Sequence, residues 1–250
     1  MAEELELVLD RASVDPAVHA LRPDYRAGLL AVDGLVPAPG DAAGEELLLR
    51  AEASAREALA AGPVEDVPHV AAWREAYRAF GAKPQRTRTS VEALLRRAAD
   101  AGLPRVDRLT DLYNAVSVLH RVPLGGEDLA RYAGPPRLVR ATGTEPFDTT
   151  AGGEDVVEHP EPGEVVWRDD AGVTCRRWNW RQGRRTRLQP GTTSALFVVD
   201  ALAPVTDAAL DAVLDDLLDR LRGLGPDVRW ARRVLGAGTA AGAAGSGVGS

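Results

Sequence analysis

The spacing of apolar residues changes twice along this chain. Between residues 42 and 121, Ala-, Glu- and Leu-rich segments carry apolar residues three and four positions apart, which is the period of an amphipathic helix. From Pro136 to Asp200, apolar segments typical of strands alternate with Gly, Pro and Asp turns. A helical stripe returns from about Thr206 to Leu224. We therefore expect one α/β (α+β) domain over residues 1–235, with a mixed β-sheet flanked by helices.

Individual elements follow from these patterns and from capping residues. Thr89 and Glu92 form a capping box at the start of one helix, and Gly102 and Pro104 end that helix. The tail at 236–250 is rich in Gly, Ala and Ser and is expected to be disordered. Along the chain, we expect strands at 5–10 and 27–35, helices at 42–61, 67–80, 89–101 and 109–121, strands at 136–141, 163–180 and 194–202, and a last helix at 206–224, with a hairpin turn at 169–172.

Composition excludes several classes of protein. The only cysteine, Cys175, cannot form an internal disulfide, and the chain shows no basic-then-apolar export signal, so we expect a cytoplasmic protein. No apolar run approaches the roughly 20 residues that cross a bilayer, and membrane insertion is not expected. The four histidines are scattered and do not match a zinc ligand set, so we expect neither a metal nor another cofactor.

Net charge limits the partners of the chain. A formal charge of −7 argues against general binding to polyanions such as DNA, so any contact with nucleic acid must be local. Known nucleophile and phosphate-loop motifs do not occur, and Lys83 is the only lysine. Chemistry must therefore come from other polar clusters, of which the sequence offers three.

Two of these clusters lie at or near predicted helices. Gly81–Ser90 carries Lys83, Arg86 and Arg88 in front of a helix N-terminus, which suits an anion but equally fits a solvated loop with a helix cap. The second cluster contains Asp111, Asn114 and Ser117 on neighbouring positions of one helical face. Buried polar groups of this kind could position a substrate or serve only as structural hydrogen-bond partners.

The third cluster, from Cys175 to Arg187, holds six arginines and two tryptophans and no acidic residue. Arginine binds phosphate through a planar fork, and indole rings stack on unpaired bases with roughly 1–3 kcal/mol per base. The cluster fits either a binding surface for an RNA end or a basic strand whose tryptophans pack on the core. As a strand it would have two faces, with Arg177, Asn179 and Arg181 on one and Arg176, Trp178 and Trp180 on the other.

Four segments, taken in order, resemble the B3/B4 tRNA-editing module of the phenylalanyl-tRNA synthetase beta subunit and, more closely, its free-standing bacterial relatives. They are Phe80–Ala98, Leu103–Leu129, Gly163–Leu188 and Thr192–Leu202. The likeness is strongest over residues 66–203 and implies the fold of that module. It also implies an activity, hydrolysis of the ester that joins a wrong amino acid to the tRNA 3′ end, by a water positioned in a polar pocket.

The resemblance further implies which residues form the pocket. Asn114 matches an asparagine of the synthetase, and Tyr113 replaces a threonine that lines its pocket. Gly125 stands where the synthetase has a histidine, and Asp128 matches its aspartate. The glutamate that the synthetase uses to select its amino acid has no counterpart near Arg185–Arg187. The amino acid is therefore not predicted.

The preferred prediction is a trans-editing aminoacyl-tRNA deacylase whose partner is a tRNA acceptor end carrying an aminoacyl group. The alternatives are a non-catalytic module that binds an RNA end or an amino acid, and a hydrolase of small aminoacyl esters or amides. The residues predicted to position water and substrate are Asn114, Asp111, Asn179 and Thr186. The residues predicted to bind the aminoacyl group are Tyr113, Gly125, Gly126, Asp128 and Trp178. The residues predicted to bind tRNA phosphates are Arg86, Arg88, Arg177, Arg181, Arg184 and Arg185.

Overall fold

Two five-stranded sheets and a separate hairpin form the strand framework of the computed structural model, which describes residues 2–236 and 245–248. The helices are α1 (Ala2–Asp10), α2 (Pro16–Leu21), α3 (Ala42–Ala60), α4 (Pro68–Ala79), α5 (Ser90–Asp100), α6 (Arg108–His120) and α7 (Asp207–Arg222). The strands are β1 (Ser13–Val14), β2 (Arg26–Asp33), β3 (Leu124–Asp128), β4 (Arg137–Arg140), β5 (Phe147–Ala151), β6 (Glu154–Glu158), β7 (Val165–Arg168), β8 (Val173–Arg176), β9 (Arg181–Gln182), β10 (Ser194–Ala201), β11 (Arg229–Gly236) and β12 (Gly245–Val248).

The first sheet has the order β12-β11-β2-β10-β3, and all of its pairs are antiparallel. Both faces of its central strand β2 are buried, and alternate residues enter two apolar cores. Leu30 and Val32 pack in the core that α3, α5, α6 and α7 close. Leu29 and Ala31 pack in the core shared with α1, α4 and the second sheet. The sheet thus separates a helical layer from a second layer of strands.

The second sheet has the order β1-β4-β7-β8-β9 and is mixed, because β1 runs parallel to β4 whereas the other pairs are antiparallel. β5 and β6 form the separate hairpin. The expected turn between β7 and β8 is present, and the Asp169 carboxylate closes it by accepting from the backbone N–H groups of Ala171 and Gly172 at 2.9 and 3.1 Å. The expected α/β class, with mixed strands flanked by helices, is confirmed, although two sheets are formed.

Most of the helices predicted from periodicity are confirmed within one or two residues, as α3 to α7 show. The Thr89 hydroxyl caps α5 by accepting from the Glu92 backbone N–H at 3.2 Å. The Glu92 carboxylate does not return to the cap, because it accepts from the buried Arg74 guanidinium at 2.8 Å. Only one half of the predicted capping box is therefore formed.

The prediction of a strand at residues 5–10 is wrong, since this segment belongs to α1. Leu5 and Leu9, four positions apart, are its buried residues, which is the spacing of a helical face. Six residues are too few to distinguish a period of two from one of 3.6 when both place leucine at the same positions. Helix α2 and strands β1, β3, β5, β6, β9, β11 and β12 were not predicted.

The prediction of strand structure over residues 163–180 is correct for the hairpin of β7 and β8 and wrong for residues 177–180. β8 ends at Arg176, and the next two residues, Arg177 and Trp178, are left-handed with φ of 47° and 67°. The backbone therefore turns before β9, and the expected division of this stretch into two strand faces does not occur. Burial of the Trp178 ring provides the compensating contacts for a conformation that costs roughly 1–2 kcal/mol per residue.

The predicted disordered tail is described only at Gly236 and at Gly245–Val248, and both pair in the first sheet, as parts of β11 and β12. Backbone pairing at a sheet edge does not require an apolar side-chain pattern, so composition gave no signal for it. The remaining tail residues lie outside the described part of the chain. None of the helices in residues 2–236 is long and apolar enough to cross a membrane.

Candidate functional site

A cavity of about 280 Å³ lies where the two sheets meet beside β3, the edge strand of the first sheet. Its walls are the start of α5, the middle of α6, β3, β7, the end of β10, and the segment Cys175–Gln182. All three polar clusters predicted from the sequence therefore contribute to this cavity, the first of them through Ser90. Apolar groups form most of the lining, so its few polar groups face each other in a region of low dielectric constant.

The left-handed turn at Arg177–Trp178 shapes one wall of the cavity. The Trp178 ring is fully buried, edge-on to Tyr25 and Trp73 at centroid distances of 4.9 and 5.2 Å. Its backbone N–H donates to the Val165 carbonyl at 2.7 Å, which ties the turn to β7. Strained backbone that the surroundings hold in place is typical of functional sites. Here it brings the next residue, Asn179, to the cavity.

A buried hydrogen-bonded network joins Asn179 to Asp200 at the end of β10. The Tyr25 hydroxyl donates to Asp200 Oδ1 at 2.5 Å, and Asn179 Nδ2 donates to Asp200 Oδ2 at 3.3 Å. The Tyr77 hydroxyl in turn donates to Asn179 Oδ1 at 3.0 Å. Burial raises the pKa of Asp200 to about 7, and the hydrogen bonds from Tyr25 and Asn179 offset part of that rise. Asp200 is therefore poised to change charge near neutral pH.

Glu127, on β3, is a second buried carboxyl at the cavity. The Tyr132 hydroxyl donates to Glu127 Oε2. Burial raises the pKa of Glu127 to about 7, the Tyr132 hydrogen bond opposes that rise, and Asp169 and Arg185 act on it through their charges in opposite directions. A carboxyl with a pKa near 7 can gain or lose a proton under physiological conditions, which is the property required of a general acid or base.

The register of β3 and β10 places the two carboxyls on one face of the sheet. Glu127 pairs with Leu196, and Gly125 pairs with Val198, so both carboxyls and the Gly125–Val198 pair share this face. Asp200 lies four residues beyond Leu196, roughly 13 Å along the strand. The two residues therefore line the cavity from backbone positions that are offset along the strand direction.

Gly125 and Asn114 leave space and a free amide for a ligand at this part of the cavity. Gly125 contributes no side chain, and a Cβ there would approach Gln182 Nε2 to 3.1 Å. Gln182 Nε2 is already held by a 2.9 Å hydrogen bond to the Gly126 carbonyl. Asn114 of α6 lines the cavity with only 8% exposure, and within residues 2–236 and 245–248 its amide makes no hydrogen bond. A nearly buried amide without a partner is available to a bound ligand.

Basic residues lie beside the part of the cavity wall that the start of α5 and the segment Cys175–Gln182 form. The loop before α5 contacts the turn at 177–180, since the Ser90 N–H donates to the Asn179 carbonyl at 3.0 Å and the Arg177 guanidinium donates to the Thr87 hydroxyl. Arg177 lies 4.5 Å from the centroid of the Trp180 ring. We call four of the predicted tRNA-binding residues the cationic rim: Arg86, Arg88, Arg177 and Arg181.

Arg184 and Arg185 are held more closely by carboxylates than the rim arginines are, since Arg177 lies 3.6 Å from Glu164 and Arg88 lies 3.9 Å from Glu92. Arg184 pairs with Asp148 at 3.0 Å and also with Asp155, both in the β5–β6 hairpin. Arg185 donates two hydrogen bonds, of 2.7 and 2.9 Å, to the carboxylate of the fully buried Asp169 in a bidentate ion pair. Both guanidiniums thus have structural partners that a phosphate would have to displace.

Four other predicted site residues lie outside the cavity wall. Asp111 accepts from the Val106 N–H at 2.8 Å in the first turn of α6. Asp128 accepts from the Thr192 hydroxyl at 2.8 Å. Thr186 is buried without a hydrogen-bond partner for its hydroxyl. A Cβ on Gly126 would meet the Phe197 ring at 2.8 Å, on the side of the sheet away from the cavity.

The predicted residues Tyr113, Asn114, Gly125, Trp178 and Asn179 do meet at the cavity. Sequence reasoning missed Glu127 and Asp200. A signal was present for Asp200, an acidic residue that ends the apolar run Ala195–Val199 at a position facing the core. Only the pairing of β3 with β10 brings Glu127 to the same face, and sequence spacing does not give that register.

Comparisons with known proteins agree with the resemblance found in the sequence. A family model described as the B3/4 domain matches residues 72–214. One similar solved structure is an N-terminal fragment of the phenylalanyl-tRNA synthetase beta subunit from Pyrococcus horikoshii, with 13% identity and a TM-score of 0.46; the match covers 94% of this chain and 53% of that chain. A comparison with curated proteins finds no match. Because the family model covers more than half of its 250 residues, this chain belongs to the B3/4 domain family.

Proposed function

We propose that this protein is a trans-editing deacylase that hydrolyses the ester bond of a misacylated tRNA. The observation that carries the proposal is the unpartnered amide of Asn114 in the same cavity as the buried carboxyl of Glu127. Membership of the B3/4 family and the resemblance to the synthetase editing module support the choice of substrate.

The chemistry needs a proton acceptor for water and a donor for the developing oxyanion. With a pKa of about 7, Glu127 is partly ionised at neutral pH and accepts a proton as water attacks the ester carbonyl carbon. The Asn114 amide donates to the carbonyl oxygen as it becomes negative. The tetrahedral intermediate then collapses, Glu127 returns the proton to the ribose oxygen as that oxygen leaves, and the free amino acid is released. No covalent intermediate with the protein is required.

The cationic rim serves to hold the acceptor end. Exposed guanidiniums at Arg86 and Arg88 are available to phosphates, and Arg177 and Arg181 lie beside the Trp180 ring at 4.5 and 6.0 Å. Arginine forks bind phosphate strongly even on a protein of net negative charge, because the contact is local. Arg184 and Arg185 are left out of this proposal because carboxylates already hold them.

Deacylation of a panel of misacylated tRNAs tests the proposal. We expect at least one aminoacyl-tRNA to lose its amino acid faster than its spontaneous rate. On that substrate, Asn114→Ala should lower the rate about 10²- to 10³-fold, the usual effect of removing an oxyanion donor. Glu57→Gln, an exposed change on α3, is the control and should keep the wild-type rate. Spontaneous rates across the whole panel would contradict the proposal.

Binding without turnover is the second candidate, and one contact favours it. The Tyr132 hydroxyl already donates to Glu127, so the carboxyl has a partner besides water. A protein of this kind would bind a non-hydrolysable, amide-linked aminoacyl-tRNA analogue but leave every ester in the panel intact.

A further inference from the structure

Asp200 is a buried carboxyl that has no cationic partner. It is 3% exposed, and both of its side-chain oxygens accept hydrogen bonds from neutral groups, Tyr25 and Asn179. Within residues 2–236 and 245–248, no arginine, lysine or histidine side chain pairs with it. A buried carboxylate without a counter-charge is unfavourable, so it either stays protonated or binds a cation.

Two other buried carboxylates of the chain do have such partners. Glu92 pairs with Arg74 at 2.8 Å, and Glu164 pairs with Arg176 at 2.8 Å. Neither of these lines the cavity, whereas Asp200 does. Glu127 also lines the cavity without an ion pair, but the charge of Arg185 acts on it, whereas no cationic group within the described residues acts on Asp200. Asp200 is thus a carboxyl without a counter-charge that a bound ligand can reach.

The surroundings of Asp200 favour a positive group. Trp167 and Trp178 line the cavity with it, and an ammonium group is a ligand that both a carboxylate and an indole ring attract. The titratable neighbours are Tyr25, Tyr77 and Cys175, and burial raises the pKa of each well above its usual value. All three are therefore neutral at physiological pH, and none supplies or competes for the missing positive charge.

We propose that Asp200 binds the α-ammonium group of the aminoacyl moiety, so that the site accepts esters of amino acids with a free amino group and rejects those in which that group is neutral. This inference rests on the proposed function, since it assumes that the cavity holds an aminoacyl ester. It assigns separate tasks to the two carboxyls, with Glu127 at the ester and Asp200 at the ammonium.

The dimensions of the cavity agree with this division. A water on Glu127, the ester carbon, the α-carbon and an ammonium on Asp200 span about 11 Å when joined at bond lengths and at contact distances of about 3 Å. The backbone positions of the two residues are offset by roughly 13 Å along the strand direction, from the register of β3 with β10. This offset leaves room for one aminoacyl group and its attacking water between the two residues.

The test uses pairs of substrates that differ in one group. For each aminoacyl-tRNA that is hydrolysed, the matched α-hydroxyacyl-tRNA carries a neutral hydroxyl of similar size in place of the ammonium. Each value of kcat/KM is divided by the spontaneous hydrolysis rate of the same ester. We expect the wild-type protein to prefer the aminoacyl ester at least tenfold. A ratio near one would overturn the inference and leave the proposed hydrolysis standing.

Asp200→Asn probes the residue itself. The change keeps the shape of the side chain and removes its charge, so we expect the preference for the aminoacyl ester to fall toward one. A merely structural role would lower the rates on both esters alike and leave the preference unchanged, which would overturn the inference. Glu57→Gln should keep the wild-type preference. The wild-type substrate pair decides the question even if Asp200→Asn does not fold.

Binding separates this inference from the proposed hydrolysis. The probes are adenosines that carry each amino acid, or its α-hydroxy counterpart, through a non-hydrolysable 3′-amide. If no ester is hydrolysed but an amino probe binds at least tenfold more tightly than its hydroxy counterpart, the ammonium site stands and the proposed hydrolysis fails. Equal binding of the two probes would overturn the ammonium site.

Discussion

At the scale of single residues, the proposed chemistry depends on two carboxyls, and neither was predicted from the sequence. Asp200 is buried where the strand pattern predicts an apolar side chain, and Glu127 is buried on a strand that was not predicted. Both line a site that also contains an unpartnered amide, Asn114. Asn114 was predicted, because a resemblance compares residue types at fixed positions. Asp200 and Glu127 were missed, because their proximity depends on strand pairing between segments about 70 residues apart in sequence.

The same two carboxyls predict how stability depends on pH. Burial raises the pKa of Asp200 from 3.8 to about 7 and that of Glu127 from 4.5 to about 7, so in this range the folded state retains protons that the unfolded chain releases. Below the pKa that the two carboxyls have in the unfolded chain, their contribution to the stability of the folded state is complete. That contribution is lost as pH rises to the pKa of about 7 that they have in the folded state. The titratable groups around Glu127 are Tyr132, Asp169, Arg185 and Cys175.

Asp200→Asn isolates one of these contributions. We expect the free energy of unfolding of the wild type, minus that of the variant, to fall by about 2–3 kcal/mol between pH 5 and pH 7.5. Urea denaturation at a series of pH values measures both proteins under the same conditions, so other titrating groups cancel. A difference that stays constant over this range would show that Asp200 titrates as an ordinary exposed carboxyl.

At the scale of elements, local signals predicted the helices around the site and failed for the turn within it. The boundaries of α5 and α6 follow from residues inside each helix, such as the Thr89 cap. The break after Arg176 depends on packing of Trp178 against Trp73, about 100 residues earlier in the chain. A strand pattern of Arg and Trp carries no information about that contact. The expected strand therefore became a left-handed turn.

Thr89→Ala tests whether the capping residue fixes the start of α5 and hence one wall of the cavity. The hydroxyl accepts from the Glu92 N–H, and loss of such a cap costs about 1 kcal/mol. We expect the free energy of unfolding in urea to fall by about that amount, and Thr89→Ser, which keeps the hydroxyl, to retain most of it. Equal losses in both variants would mean that the methyl group of Thr89, and not the cap, stabilises the helix.

At the scale of the whole molecule, charge is distributed so that a protein of net charge −7 still presents arginines beside one cavity. Of the six arginines at 175–187, several are held by acidic side chains from other elements, as Arg176, Arg184 and Arg185 are. The sequence predicts a basic cluster but not which of its members are neutralised. That distinction requires the contacts of the folded chain.

The cationic rim predicts the salt dependence of tRNA binding. We expect Arg86→Ala combined with Arg88→Ala to weaken binding and to reduce the slope of log K against log salt concentration by about 1 for each lost phosphate contact. Arg56→Ala, an exposed change on α3, serves as the control and should leave the slope unchanged. Titrations of labelled tRNA at several salt concentrations give these slopes. Equal slopes for wild type and double variant would remove the rim from the binding surface.

If this cavity hydrolyses an aminoacyl ester with Glu127 as the general base, the rate of the chemical step depends on the Glu127 carboxylate. The measurement is the single-turnover rate of deacylation by Glu127→Gln, on the best misacylated tRNA and with the protein saturating, beside the wild type. General base catalysis contributes about 10²- to 10⁴-fold. We predict a loss of at least 100-fold in the variant, whereas a rate equal to that of the wild type would contradict the account.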